Sequence, residues 1–193
     1  MQRIHRQQLL WLPIVAALGL TACGRVCETV REPDLSSPLA RELEAIKATH
    51  EQEQQHLATF DDLDFNVYSN QKWDELAKSH APDIIVHWPD GRVTTGIEPH
   101  IADLKQQFVF APDTKISTHP IKIAQGNWTA VAGVMEGTFT QPMALANGKP
   151  VKPTNKPFKL DMVTIGRWEN GVMKEEWLVW DNQAFMKQIG LAK

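Results

Sequence analysis

The C-terminal half of the chain consists of strand-forming stretches cut apart by turn residues, and this pattern leaves few folds open to it. Lys115 to Ala124, Trp128 to Thr140, Phe158 to Trp168 and Val172 to Trp180 are separated by Gly126-Asn127 and by Asn170-Gly171. The second of these is a favoured dipeptide for a two-residue hairpin. Between the second and third stretches, Pro142, Pro150, Pro153 and Pro157 predict a long loop over the rim of a sheet. Side chains of an extended segment alternate between faces, so Glu176, Leu178 and Trp180 share one side of the last strand. Glu175, Trp177, Val179 and Asp181 share the other. Each face mixes acid with large apolar surface, an arrangement found more often at a ligand cavity than in a plain core.

The residues before this run follow a helical period. Ser37 followed by Pro38 is a helix start, and Leu39, Leu43 and Ile46 recur at helical spacing before the polar run from Glu51 to His56. The pattern resumes with Leu57, Phe60, Leu63 and Val67, and Trp73 to His80 predicts a shorter helix stopped by Pro82. Ile84 to Trp88 is a short strand closed by the turn Pro89-Asp90-Gly91. Ile97, Ile101, Leu104 and Phe108 then mark an amphipathic helix ending near Pro112. Helices gathered before antiparallel strands, with no internal repeat, imply one α+β domain, and roughly 140 residues suffice for a single core.

The first 37 residues have a different character. Arg3, His5 and Arg6 precede an apolar run from Leu9 to Leu20 that Pro13 interrupts, as in an export signal. About 12 apolar residues fall short of the roughly 20 that span a bilayer. Leu20-Thr21-Ala22-Cys23 resembles the bacterial lipobox, in which cleavage precedes a lipidated cysteine. The organisation expected is a lipoprotein signal peptide over 1–22, lipidated Cys23 and a polar tether over 23–37, a polar N-terminal helix over 38–54, and a folded domain over 55–193. Gly24 stands where an Asp commonly retains such lipoproteins at the inner membrane. The resemblance therefore implies an outer-membrane anchor facing the periplasm. Removing the signal moves the formal charge from -3 to about -5, which does not invite nucleic acid. If Cys23 is acylated, Cys27 is the only thiol left and makes no intrachain disulfide.

The order and spacing of several motifs carry a family resemblance. Ala81-Pro82-Asp83 lies before the first strand, with Pro89-Asp90-Gly91 and Gly96 after it; Gly133, Gly137, Thr138 and Phe139 lie in a central strand, and Trp180-Asp181-Asn182 and Gln188-Ile189-Gly190 at the end. Together, from about Gln55 to Leu191, they resemble the SnoaL-like polyketide cyclases of the nuclear transport factor 2-like superfamily. The resemblance implies a curved antiparallel sheet wrapped around N-terminal helices to leave a conical pocket, and a homodimer formed through the outer sheet face, where Trp177 and Val179 would lie. The characterised cyclases close a polycyclic ketone by an aldol reaction without metal or cofactor, using an aspartate in the last strand and a histidine in the strand before. Here the matching positions are Leu178 and Thr164, so that chemistry does not carry over residue by residue.

Glu176 is then the acid to examine for catalysis, on the same face as Leu178 and Trp180, with Asp181 and His87 as the other candidates. Asp181 is equally suited to cap the last helix. His87 points outward if Val86 and Trp88 point inward. Val86, Trp88, Met162, Thr164, Leu178 and Trp180 would line a largely apolar pocket suited to a small, flat hydrophobic molecule. His80, His100 and His119 lie at element ends, none at metal-ligand spacing from another histidine or an acid. Exposure is the expectation for each, and neither metal nor cofactor is expected. Three functions stay open: cofactor-free acid/base catalysis of the cyclase, isomerase or lyase type, ligand carriage without catalysis, and an envelope interaction module.

Overall fold

A computed structural model describes residues 37–144 and 149–193. The signal peptide, Cys23 and most of the tether fall outside the described residues. Helix α1 runs over Pro38–Asp62, with Ser37 Oγ accepting from Ala40 N at 3.1 Å and Pro38 in its first turn. It passes through the polar Glu51-to-His56 stretch without a break, because that stretch contains no residue that ends a helix. Its first turns are exposed, and burial begins at His56 and Phe60. The backbone then widens into a π-helical turn, Leu63–Tyr68, followed by a 3-10 turn, Trp73–Lys78.

The sheet is built from β1 (His80–His87), β2 (Val93–Thr95), β3 (Lys115–Ile116), β4 (Ile121–Gln125), β5 (Trp128–Thr138), β8 (Pro157–Glu169) and β9 (Val172–Trp180). Helix α2 (Ile97–Phe110) lies between β2 and β3, and α3 (Asn182–Gln188) ends the chain. The strand order is β2-β1-β9-β8-β5-β3, with β4 also pairing β5. The expected α+β cone is the fold, with differences from the expected details: β1 begins at His80 and runs through Pro82, where a helix end was expected, because its pairing with β9 starts at His80 opposite Met173. The sheet is mixed, since β1 lies parallel to β9 with Val86 opposite Glu176. The stretch from Lys115 divides into two strands, because residues 117–120 leave the ladder. In the proline-rich loop, β6 (Met143–Ala144) and β7 (Pro150–Val151) form a small two-stranded ladder.

Asn170 and Gly171 both adopt positive φ, at 52° and 81°, as the tight β8–β9 hairpin requires. A register shift next to Arg167 then decides the cavity face. Arg167 opposes Glu175 while Trp168 opposes Met173, so Lys174 is the extra residue of a bulge. Both Met173 and Glu176 consequently face inward and are buried. Gly166, opposite Glu176, leaves room for this, since a Cβ there would lie 2.6 Å from Met173 Sδ.

The core sits between the concave face of the sheet and the helices. Phe60, Val67, Ile84, Val86, Val131, Phe139, Trp168 and Met173 are almost completely buried. Trp168 stacks on His56 of α1, with ring centroids 4.6 Å apart. Polar contacts hold the same end of α1, where Glu53 Oε1 accepts from Gly126 N at 2.6 Å and Gln52 Nε2 donates to Asn127 Oδ1 at 2.7 Å. Among the described residues, no helix is long and apolar enough to cross a membrane.

Candidate functional site

The open end of the cone is a cavity of about 280 Å³, close to the low end of small-molecule sites, roughly 300–1,000 Å³. Its walls are largely apolar, with Tyr68, Phe110, Met135, Leu160 and Met162 among them, and Arg92, Asp90 and Asp103 sit at its polar rim. Arg92 joins both acids, with Nε 2.8 Å from Asp90 Oδ2 and Nη1 3.3 Å from Asp103 Oδ2. Its guanidinium lies over the Trp88 ring, 5.2 Å from the centroid. Trp88 is fixed in turn by Nε1–H donating to Thr94 Oγ1 at 2.9 Å.

Two polar clusters face this cavity. In the first, β1 supplies His80, β9 supplies Glu176 and α2 supplies His100. Glu176 Oε2 stands 3.5 Å from His80 Nε2 and 3.4 Å from His100 Nε2, and no side chain of the three is more than 5% exposed. Burial pushes the Glu176 carboxyl up, but contact with His80 and electrostatic attraction to the two imidazoles outweigh it and hold the group below its ordinary value. Burial also drives the His100 imidazole down to about 4, against the attraction of Glu176.

The second cluster comes from α1, its π-helical continuation and the break between β3 and β4. Asp61 and Asp64 lie three residues apart, on one helical face. His119 joins them, with Nδ1 2.7 Å from Asp61 Oδ1 and Nε2 2.8 Å from Asp64 Oδ2. Lys122 Nζ donates to Asp61 Oδ2 at 2.6 Å, so the chain of contacts runs from exposed Lys122 through half-buried Asp61 to Asp64 on the cavity wall. Burial raises the Asp64 carboxyl above its ordinary value despite the hydrogen bond from His119. For His119, burial lowers the imidazolium, but the hydrogen bonds to Asp64 and Asp61 outweigh it and the group titrates above its ordinary value.

That shift has a sign that can be tested. A histidine raised on folding contributes stability that is fully present below its unfolded value, about 6.5, and is lost as pH rises through the folded value. The melting temperature is therefore expected to fall from pH 6.5 to pH 9, and His119→Gln to flatten that slope. An unchanged slope in the variant would show that His119 does not carry it.

Of the residues expected to form the site, Glu176, Trp88, Met162, Thr164, Leu178 and Trp180 line the cavity. Val86 packs in the core beneath it. His87 faces outward, where it stacks on Trp177 with centroids 4.7 Å apart and pairs with Glu175 Oε1 at 2.9 Å. Alternation along β1 is the reason, since Val86 occupies the inward phase. Asp181 is exposed and caps α3, its Oδ1 accepting from Ala184 N at 2.9 Å.

The expectation of exposed histidines is overturned. His80 and His100 are buried at 2% and 1%, and the His119 side chain at 1%. A signal for two of them existed. His100 lies on the apolar stripe of Ile97, Ile101, Leu104 and Phe108, and His80 shares the even-numbered phase of Ile84 and Val86. Asp64 likewise falls on the stripe of Phe60, Leu63 and Val67. A polar residue in an apolar phase is either paired in the core or placed at a site.

Fold and cavity together define an α+β cone that encloses a pocket, built of a mixed sheet against a long N-terminal helix. Within that class, the model of the SnoaL-like polyketide cyclases matches residues 62–189, and the chain belongs to that family. Solved structures agree at the level of fold. A candidate polyketide cyclase from Streptomyces antibioticus is 23% identical with a TM-score of 0.61, covering 70% of this chain and 99% of its own. A candidate SnoaL-like polyketide cyclase from a Jannaschia species is 20% identical with a TM-score of 0.63, covering 73% and 95%. A protein of ketosteroid isomerase-like fold from Catenulispora acidiphila, in complex with trimethylamine, is 14% identical with a TM-score of 0.56, covering 70% and 92%. A comparison with curated proteins gives no match.

Proposed function

We propose that this SnoaL-like domain binds a small, largely apolar molecule bearing a carbonyl or hydroxyl group and performs acid/base chemistry on it, of the cyclase, isomerase or lyase type. The observation that carries this reading is a pair of buried carboxylates in different settings lining one cavity: Asp64, raised by burial and oriented by His119, and Glu176, set between two histidines. Groups whose environments separate their proton affinities suit the acid and base roles of one reaction. Asp64 takes and returns the proton, and His119 and Asp61 hold it in place. The Glu176 cluster receives the oxygen of the ligand. Leu178 and Thr164, standing where the characterised cyclases carry acid/base groups, supply shape only.

The same proposal places the chain in the bacterial envelope as an outer-membrane lipoprotein facing the periplasm, supported by the pattern from Leu20 to Cys23. It also pairs the outer sheet face with a second copy of the chain. Val163 lies opposite Val179 and Ile165 opposite Trp177, with Val163, Ile165 and Val179 all exposed on that face.

Native mass spectrometry of the protein purified from membranes tests these statements together. A retained small molecule, a dimer mass and a mass increment of acyl chains on Cys23 are expected, and incubation should convert the retained molecule to product. Recovery of that molecule unaltered would replace catalysis with carriage. A monomer alone, or an unmodified Cys23, would remove the corresponding part.

A further inference from the structure

We propose that His80, His100 and Glu176 form a binding site for a divalent first-row transition-metal ion, of the zinc or iron(II) kind, at the floor of the cavity. Each residue offers one donor atom, and the three atoms lie within 4.8 Å of one another. Glu176 Oε2 is 3.5 Å from His80 Nε2 and 3.4 Å from His100 Nε2. Bonds of about 2.0–2.2 Å to a tetrahedral ion hold its donors roughly 3.4 Å apart, which the two separations from Glu176 Oε2 match.

The hydrogen bonding supports the same conclusion. Glu176 Oε2 and His80 Nε2 are buried and have no hydrogen-bond partner in the protein. A buried carboxylate oxygen left unpaired is costly in a low-dielectric interior. The other nitrogen of His80, Nδ1, lies 2.9 Å from Ser79 Oγ. That hydroxyl is itself 3.1 Å from Leu76 O, to which it donates. With that donation Oγ is placed to accept from Nδ1–H, and the unpartnered Nε2 is turned toward the carboxylate oxygen. A cation between Nε2 and Oε2 would give both buried atoms a partner. A histidine ligand whose far nitrogen donates to a fixed acceptor is also the usual outer arrangement of metal sites.

Two imidazoles and one carboxylate suit a transition ion better than magnesium or calcium, which take mainly oxygen. The donors stand on two strands and a helix, so their positions are set by the sheet and by packing. Three protein ligands leave coordination open toward the cavity, where the oxygen of the ligand would complete it. This last point rests on the proposed function, in which the Glu176 cluster receives that oxygen; the binding of the ion does not.

The test is titration of the chelator-treated full chain with Co²⁺, followed by visible absorbance, and with Zn²⁺ by calorimetry. Saturation at one ion per chain is expected, with cobalt bands of low coordination number. Glu176→Gln and His100→Gln should weaken binding by about 100-fold or more, and Ser79→Ala, which keeps all three ligands, by about 10-fold. Circular dichroism checks that each variant is folded; should the ligand variants fail to fold, Ser79→Ala decides alone. A folded wild-type chain that does not saturate at one ion, or variants that bind as the wild type does, would overturn the site. One-to-one binding without turnover of the retained molecule removes the proposed chemistry and leaves the ion site; turnover by a folded chain that does not saturate at one ion removes the ion site and leaves the chemistry.

Discussion

Asp64→Asn is expected to lower kcat/KM for the molecule that the cavity retains by about 10²- to 10⁴-fold, the usual contribution of a positioned general acid or base. The substitution removes a titrating oxygen and changes almost nothing else. The amide oxygen can still accept from His119 Nε2, which lies 2.8 Å from Asp64 Oδ2. The side chain keeps its place on the π-helical turn, where backbone geometry directs it to the cavity wall. Retention of the molecule should therefore survive, separating a lost proton transfer from a lost binding site. Wild-type kinetics in the variant would remove Asp64 from the reaction and leave Glu176 as the acid to test.

Trp168→Ala should destabilise the fold by about 3–5 kcal/mol, the range for truncating a buried aromatic. For a domain of this size that corresponds to a fall in melting temperature on the order of 10 °C. Trp168 is fully buried, and its Nε1–H donates to Thr129 Oγ1 at 2.9 Å. Its ring is also the surface on which His56 of α1 stacks. Truncation empties the space between α1 and the sheet and leaves the Thr129 hydroxyl without its donor. Trp168→Phe retains a ring against His56 but loses the hydrogen bond and part of the ring volume, so it should cost less, about 1–3 kcal/mol. Thermal unfolding of the two variants measures these losses. A loss below about 1 kcal/mol in the alanine variant would mean that α1 is held by its contacts near Gly126 instead.

Much of the fold was legible in the sequence, and the reason is local. The Asn170-Gly171 hairpin, the stripe of α2 and the common face of Glu176, Leu178 and Trp180 follow from backbone periods that hold whatever the partner element is. Where the sequence reading departed from the structure, a non-local contact decided the outcome. Residues 117–120 leave the ladder, so His119 can lie between Asp61 and Asp64, and this irregular segment has no period to reveal it. The parallel pairing of β1 with β9 joins strands at opposite ends of the domain, and no short stretch of sequence records it.

The candidate site divides in the same way. By sequence alone the chain determined its family, its α+β class and the wall that Glu176 shares with Leu178 and Trp180, since each depends on spacing along one segment. Only the tertiary structure decided what Glu176 faces. His80 reaches it across a parallel strand pair and His100 from the helix crossing above, two residues that the sequence places far from Glu176 and from each other. A strand or helix fixes which face a side chain takes, whereas the neighbour it meets depends on how distant elements pack against that face.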